Sequence, residues 1–335
     1  MAMTPTVWPA RVTIAALAYT AAAWTILSVA PPARAQSWPT RTIQAVIPFA
    51  PGNANDVIGR IVLDQLQRQL GQAIIVDNRA GAGGTTGVAY AAKAAPDGHV
   101  ILVHSSTFAA AYSLYKSLPY DTFNDFTAVV PLGIQPMVLV AAPSKGWKTL
   151  ADLVAAAKAN PGKLNYASAG IGAASHLAAE RLRISAGLVA QHVPFRGPVE
   201  ALTEVMTGRI DWYFLPIAAA LPLINDGRLT ALAVSTAKRA ASLPNVPTIE
   251  EAGLKDASYA FWNGLFVPAK TPRAIVGKLD QETREALANP SVEDKLTKVG
   301  NEPLAMTTDE FEQYFRNDVR ETADLMKKIG VQPQD

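Results

Sequence analysis

Residues Ile43–Val76 read IQAVIPFA, PGNAN, DVIGRIVLDQLQRQLG, QAIIV: an apolar strand, a glycine-bearing turn, a helix and a second strand. Residues Leu164–Phe195 repeat the plan as LNYASA, GIGAA, SHLAAERLRISAG, LVAQHVPF. In the first helix Ile58, Ile61, Val62, Leu66 and Leu70 recur at spacings of three and four, one apolar stripe that packs on a sheet. Leu177, Ala178 and Leu182 do the same more weakly in the second. A helix entered straight from a strand keeps unpaired N–H groups and the positive end of its dipole at the carboxyl edge of the sheet. Open α/β sheets bind ligands at that edge. Two such turns, far apart in sequence, predict two lobes that grip one small anion.

The rest of the chain alternates in the same way, so the fold class is α/β. Strands are expected at 100–103, 127–132, 137–142, 210–215, 229–235 and 260–267. Helices are expected at 149–158, 198–207, 272–288, 291–299 and 309–329, with a short one that Thr248 and Glu251 cap and Gly253 stops. Thr149 with Asp152, and Thr307 with Glu310, have the spacing of capping boxes.

The N-terminus reads as a secretory signal peptide, residues 1–35. Arg11 precedes an uncharged run, Val12–Ala30, and Ala33-Arg34-Ala35 is an A-x-A cleavage pattern. Without Arg11 and Arg34 the chain carries 28 basic and 28 acidic residues. A net charge of zero favours neither nucleic acid nor an anionic membrane surface. There are no cysteines, which excludes disulfides, a thiol nucleophile, thiolate metal ligands and a lipidated cysteine. Export without disulfide or lipid fits the periplasm of a Gram-negative cell.

Catalytic signatures are missing. There is no G-x-S-x-G, and the serine pair Ser105-Ser106 before Thr107 reads as turn chemistry. Gly81–Gly87 lacks the dinucleotide register, though it could form a wall of a cleft. His176 and Glu180 stand at i and i+4, but one histidine and one glutamate make no metal site. Neither a metal nor a cofactor is implied. Asn53, Asn55 and Asp56 are all natural helix caps; alternatively, the two asparagines add amide donors to the backbone donors. A helix terminus contributes about 0.3–1 kcal/mol toward holding an anion, up to about 2 when partly buried. A micromolar ligand needs about 8 kcal/mol, so charge-assisted bonds and a dry cleft must supply the rest. Arg196 could clamp a carboxylate or be solvated at its strand end.

The segments at 48–60 (PFAPGNANDVIGR), 76–88 (VDNRAGAGGTTGV), 95–99 (APDGH), 118–121 (LPYD), 158–180 (KANPGKLNYASAGIGAASHLAAE), 192–197 (HVPFRG), 207–211 (TGRID), 232–236 (LAVST), 243–253 (LPNVPTIEEAG) and 264–272 (GLFVPAKTP) resemble, in order, the substrate-binding proteins of tripartite tricarboxylate transporters, also called Bug receptors. The resemblance runs from Trp38 to about Val331. It implies a type II periplasmic binding protein, with two α/β lobes joined by two crossover strands. On that pattern lobe 1 is 36–137 plus 264–335 and lobe 2 is 138–263. It implies a small organic acid as ligand, a di- or tricarboxylate or an aromatic acid, and a two-component membrane permease as partner. A monomer without enzymatic activity is expected.

The donors would come from Phe49, Ala50, Gly52, Asn53, Ala54, Asn55 and Asp56 in the first turn. In the second they would come from Ser168, Gly170, Gly172, Ala173, Ser175 and His176. Ser105, Ser106, Thr107, Phe195 and Arg196 complete the expected site. Asn53 and Asn55 stand where such receptors usually have glycine and a small residue or threonine. Phe195-Arg196 stands where Tyr-Lys is common. The second turn should therefore hold the generic carboxylate, and the first should set this protein's specificity. Two rival readings are a sensory receptor of the same fold, and a hydrolase or transferase with Ser105 activated by His104 or His176.

Overall fold

The computed structural model describes residues 1–2 and 38–334; the expected signal peptide lies outside the described residues. The fold below is that of Arg41 onward. Its first half runs β1 (Ile43–Ile47), α1 (Ala54–Leu70), β2 (Ile74–Asn78), α2 (Thr85–Ala92), β3 (Val100–Ser105), α3 (Thr107–Leu114) and β4 (Phe126–Gln135). Then follow β5 (Met137–Ala141), α4 (Leu150–Ala159), β6 (Asn165–Ser168), α5 (Ala174–Ala186), β7 (Gln191–Pro194), α6 (Pro198–Met206), β8 (Trp212–Pro216), α7 (Ile217–Asn225) and β9 (Thr230–Val234). The chain ends with β10 (Phe261–Pro268), α8 (Arg273–Leu287), α9 (Pro290–Lys298) and α10 (Thr308–Lys328).

The strands form two five-stranded sheets, ordered β2-β1-β3-β10-β4 and β7-β6-β8-β5-β9. The two orders are the same plan. In each, the strand before the glycine-bearing turn (β1, β6) is parallel to both neighbours. In each, the fourth position holds an antiparallel strand that has just arrived from the other sheet (β10, β5). The chain crosses once at Pro136, between β4 and β5, and once between β9 and β10. This is the expected architecture of two α/β lobes joined by two crossings. Ser235 ties the crossings together. Its N–H donates to Met137 O at 2.8 Å and its hydroxyl to Tyr259 O at 2.8 Å, while Tyr259 N–H donates to Ser235 O at 2.7 Å.

Packing fixes where the turns sit. A Cβ on Gly59 would lie 3.0 Å from Ile47 Cδ1 and 3.2 Å from Val103 Cγ1, so any larger residue would make these side chains shift by a few tenths of an ångström where α1 meets β1 and β3. Ile58, Val62 and Leu66 are fully buried beneath it. Helix α10 contributes side chains to two hydrophobic cores. Phe311, Phe315 and Val319 join Trp262, Phe266 and Phe108 in one core, and Leu325 and Met326 join Leu177 and Ala178 in the other.

Two local expectations need correction. Thr248 and Glu251 exchange the reciprocal bonds of a capping box, Glu251 N–H to Thr248 Oγ1 at 3.0 Å and Thr248 N–H to Glu251 Oε2 at 2.9 Å. The segment nevertheless forms only turns, because Leu254 N–H already returns to Ile249 O at 3.1 Å. Helices α3 and α7 were not expected. Among the described residues no helix is long and apolar enough to cross a membrane.

Candidate functional site

The first turn is held by charge. Asn53 is the N-cap of α1, and its Oδ1 accepts from Asp56 N–H at 3.0 Å. The Asp56 carboxylate, 2 % exposed, reaches back to Gly52 N–H at 2.8 Å. Arg60 Nε donates to both Asp56 oxygens at 2.9 and 3.0 Å. Asn78, at the end of β2, donates to Asp56 Oδ1 at 2.8 Å and to Phe49 O at 3.0 Å. Burial pushes the Asp56 carboxyl up, but the bonds from Arg60, Gly52 and Asn78 outweigh it and hold it below the usual range. This clasp occupies the Gly52 N–H. Among the described residues the N–H groups of Ala54 and Asn55, at the first two positions of α1, have no partner.

Asn55 does not aim its amide at the cleft in this arrangement. Its Nδ2 donates to Val103 O at 2.9 Å, and its Oδ1 is buried without a partner. Leaving one buried polar group unpaired costs about 1–3 kcal/mol.

The second turn is held by neutral groups. Ala173, which has no capping side chain, starts α5. Gly172 N–H donates to His176 Nδ1 at 3.2 Å, and Ala169 N–H to Ser175 Oγ at 3.0 Å. Ser168 Oγ lies 2.6 Å from His192 Nε2 and accepts from Gly170 N–H at 3.1 Å. The two histidines stack at 4.3 Å, and the stack continues through Tyr166 (5.1 Å) to Trp212 (4.7 Å). Burial pushes the His176 imidazole down to about 4, helped by His192 beside it; burial also lowers His192. Both rings are therefore neutral at pH 7, as an Nδ1 that accepts a hydrogen bond must be. Ala174 and Ser175 N–H, the first two of α5, have no partner among the described residues.

Both turns thus leave the same pair of helix-start N–H groups free. Leu114 and Tyr115, at the end of α3, link the two regions. Gly172 faces Leu114 so closely that a Cβ there would overlap Leu114 Cδ1. A Cβ on Gly83 would lie 2.8 Å from the Tyr115 hydroxyl, and one on Gly84 3.5 Å from both Phe49 and His104. The glycine-rich loop therefore packs against the first turn, by way of the Phe49 ring.

The remaining expected residues have mixed positions. Ser106 Oγ bonds the Tyr259 hydroxyl at 2.8 Å in the interior, and Ser105 Oγ bonds Thr107 Oγ1 at 2.9 Å. Phe195 N–H closes onto Ser168 O at 2.9 Å. Arg196 is exposed and makes no ion pair among the described residues. Ala50 is exposed, and its carbonyl accepts from Asn53 N–H at 3.4 Å. Among the described residues no group of three or more His, Asp or Glu could hold a metal ion. His192, Asn78 and Asn263 were not singled out in the sequence. Only Asn263 had a visible signal, as a lone polar residue inside the apolar run FWNGLFVP.

Residues 58–331 match the tripartite tricarboxylate transporter family receptor. The chain is 39 % identical over 268 residues, 80 % of each chain, to the protein in the tcbD–tcbE intergenic region of Pseudomonas sp. strain P51. Among solved structures it is similar to R. palustris Rpa4515 with adipate, at 30 % identity and TM-score 0.76, covering 89 % of this chain and all of that one. It is also similar to MatC from Rhodopseudomonas palustris with bound malate, at 32 % identity and TM-score 0.71, covering 86 % and 99 %.

Proposed function

The chain belongs to the tripartite tricarboxylate transporter receptor family, and from that premise we propose that it captures a small organic carboxylate between its lobes and delivers it to a two-component membrane permease. Receptors of this family are periplasmic solute-binding proteins. The observation that carries the reading is the matched pair of helix starts. Ala54 and Asn55 on one lobe and Ala174 and Ser175 on the other keep free N–H groups at strand ends. Four such donors and two helix dipoles suit a carboxylate better than a neutral solute. The similarity to structures holding adipate and malate supports the same ligand class.

In this reading lobe 1 comprises 36–137 and 264–335, and lobe 2 comprises 138–263, with Ser235 at the hinge. Phe49, Gly52, Asn53 and Asp56 shape one wall of the cleft. Ser168, Gly170, Gly172, Ala173 and His176 shape the other, and Arg196 stands at its rim. The mature receptor is a monomer exported by the signal peptide at 1–35. Titration calorimetry with adipate, malate and other small acids tests the proposal. At least one acid should bind well below millimolar. Binding no better than millimolar by every acid, with a neutral solute bound more tightly, would overturn it.

A further inference from the structure

Two cavities adjoin at the crossing marked by Pro136. One, of ≈ 290 Å³, lies between α7 (Ile217, Leu221) and Ser242 on one side and Gly300 and Glu302 on the other. The second, of ≈ 270 Å³, lies between β4, α8 and α9 and is walled by Val130, Leu132, Leu287, Leu296 and Leu304. Thr297, Asn301 and Pro303 line both, so the two share a wall. None of the residues that line them belongs to either glycine-bearing turn. The walls are fixed. Ile134 N–H donates to Glu302 O at 2.9 Å and Glu302 N–H to Ile134 O at 2.7 Å. Asn301 Nδ2 donates to Leu132 O at 2.9 Å. Gly300 (φ +71°) packs so closely on α7 that a Cβ there would lie 2.8 Å from Ala218 Cβ.

Glu302 brings a negative charge to these walls with little to balance it. Its side chain is half-buried, and its one hydrogen bond among the described residues is long, from Ala241 N–H to Oε1 at 3.3 Å. It makes no ion pair among the described residues. Lys298, which lines the same cavity, is held by Asp294 at 2.6 Å. Arg284, which lines the other, is held by Asp280 at 2.7 Å. Burial raises the Glu302 carboxyl above its usual range, and only the Ala241 N–H offsets it. A half-buried carboxylate beside apolar walls gains most from a cation that brings its own N–H donors.

We propose that the two cavities form a separate binding site for an alkylammonium ion, with the ammonium on Glu302 and the alkyl chain against Leu132, Leu296 and Leu304. The inference goes beyond the receptor reading and does not depend on it. An anion would meet Glu302 with like charge. A neutral alcohol would make a weaker hydrogen bond to it than a charged donor does. A bare metal ion would find one carboxylate, since among the described residues no group of three His, Asp or Glu converges. The apolar cavity beside Glu302 suits the hydrocarbon part of the ion.

Backbone amide NMR at pH 8 with ethyl-, butyl- and hexylammonium chloride tests this. The amides of Ala241, Gly300 and Glu302 should move, and those of Ala54, Asn55, Ala174 and Ser175 should stay in place. Affinity should rise at least about twofold per added CH2. 1-Hexanol should bind at least about tenfold more weakly than hexylammonium. Glu302→Gln should remove that preference and leave 1-hexanol within about twofold of wild type. Ser242→Trp, at an exposed position, narrows the ≈ 290 Å³ cavity and should also weaken hexylammonium, which serves should the first variant fail to fold. No shift at Ala241, Gly300 or Glu302, shifts confined to the helix starts, 1-hexanol binding as tightly as hexylammonium, or hexylammonium binding unchanged in both variants overturns the inference. Each of these outcomes leaves the carboxylate receptor standing, because the titrations with organic acids test that reading separately.

Discussion

The two glycine-bearing turns reach the same backbone arrangement by opposite means. The first is fastened by a buried carboxylate, a guanidinium and two asparagines, with Asn53 as the cap. The second has no capping side chain and leans on two neutral histidines and two serines. Their glycines differ as well. Gly52 (φ +82°) has nothing within 4 Å of where a Cβ would be, whereas Gly172 (φ +78°) meets Leu114. The free N–H pairs are thus common to both lobes, while the surroundings that hold them are not interchangeable. A charged clasp and a neutral stack should fail under different conditions.

Acid gives the largest separation. The unfolded His176 takes its proton near pH 6.5, the folded one only near 4. Between those values the unfolded chain binds more protons, so stability falls as pH falls through this window. The loss attributable to His176 is at most about 3 kcal/mol, from the size of the shift. Asp56, whose carboxyl is lowered from 3.8, holds its clasp until the pH is below that value. Denaturant unfolding at pH 7, 5.5 and 4.5 should show the slope, and His176→Asn, which keeps an acceptor for Gly172 N–H, should make it shallower, the remainder coming from His104 on β3, which burial pushes down to about 3. An equal slope in the variant would mean the second turn is not the acid-sensitive one.

Gly172→Ala should come next. Left-handed φ alone costs an alanine about 1 kcal/mol, which is all Gly52→Ala should lose. Overlap with Leu114 adds about 1–3 kcal/mol at Gly172. Melting of the two variants side by side checks this, and Leu114→Ala should partly rescue only Gly172→Ala. Asp56→Asn should cost about 2 kcal/mol, since charged hydrogen bonds to Gly52 N–H and Arg60 are weakened. The urea midpoint would show it, and a neutral outcome would mean the clasp is not what orders the first turn. Asn53→Gly should be mildest for stability, a few tenths of a kcal/mol, because glycine caps nearly as well. It should change ligand preference more than melting temperature, as calorimetry with a panel of acids would reveal.

Much of this comparison could be read from the chain, because it rests on local pattern. The apolar alternation of Ile43–Ile47, the stripe on α1 and the glycines ending α1 and α5 in left-handed geometry are all local signals. The capping boxes at Thr149 and Thr307 likewise form as spaced. What could not be read depends on long-range partners. Helix α3, TFAAAYSL, is so uniformly apolar or small that it shows no polar face; its Phe108, Ala109, Ala110 and Ala111 are all buried. Helix α7, IAAALPLIN, is likewise apolar or small nearly throughout. Asn53, Asn55 and Asp56 were all plausible caps, and only Asn78 and Arg60, which bond Asp56, and Val103, which accepts from Asn55, separate their roles. The stack of His176 on His192 joins residues from a helix and a strand, which spacing alone cannot pair.

The central claim is that one carboxylate is held by two helix starts at once. Backbone amide NMR during titration with malate, or with the tightest acid found by calorimetry, tests it most directly. The account predicts that Ala54, Asn55, Ala174 and Ser175 amide resonances move together, saturate with one dissociation constant and shift downfield as they donate to an anion. Saturating shifts confined to one turn, or appearing away from both, would contradict it.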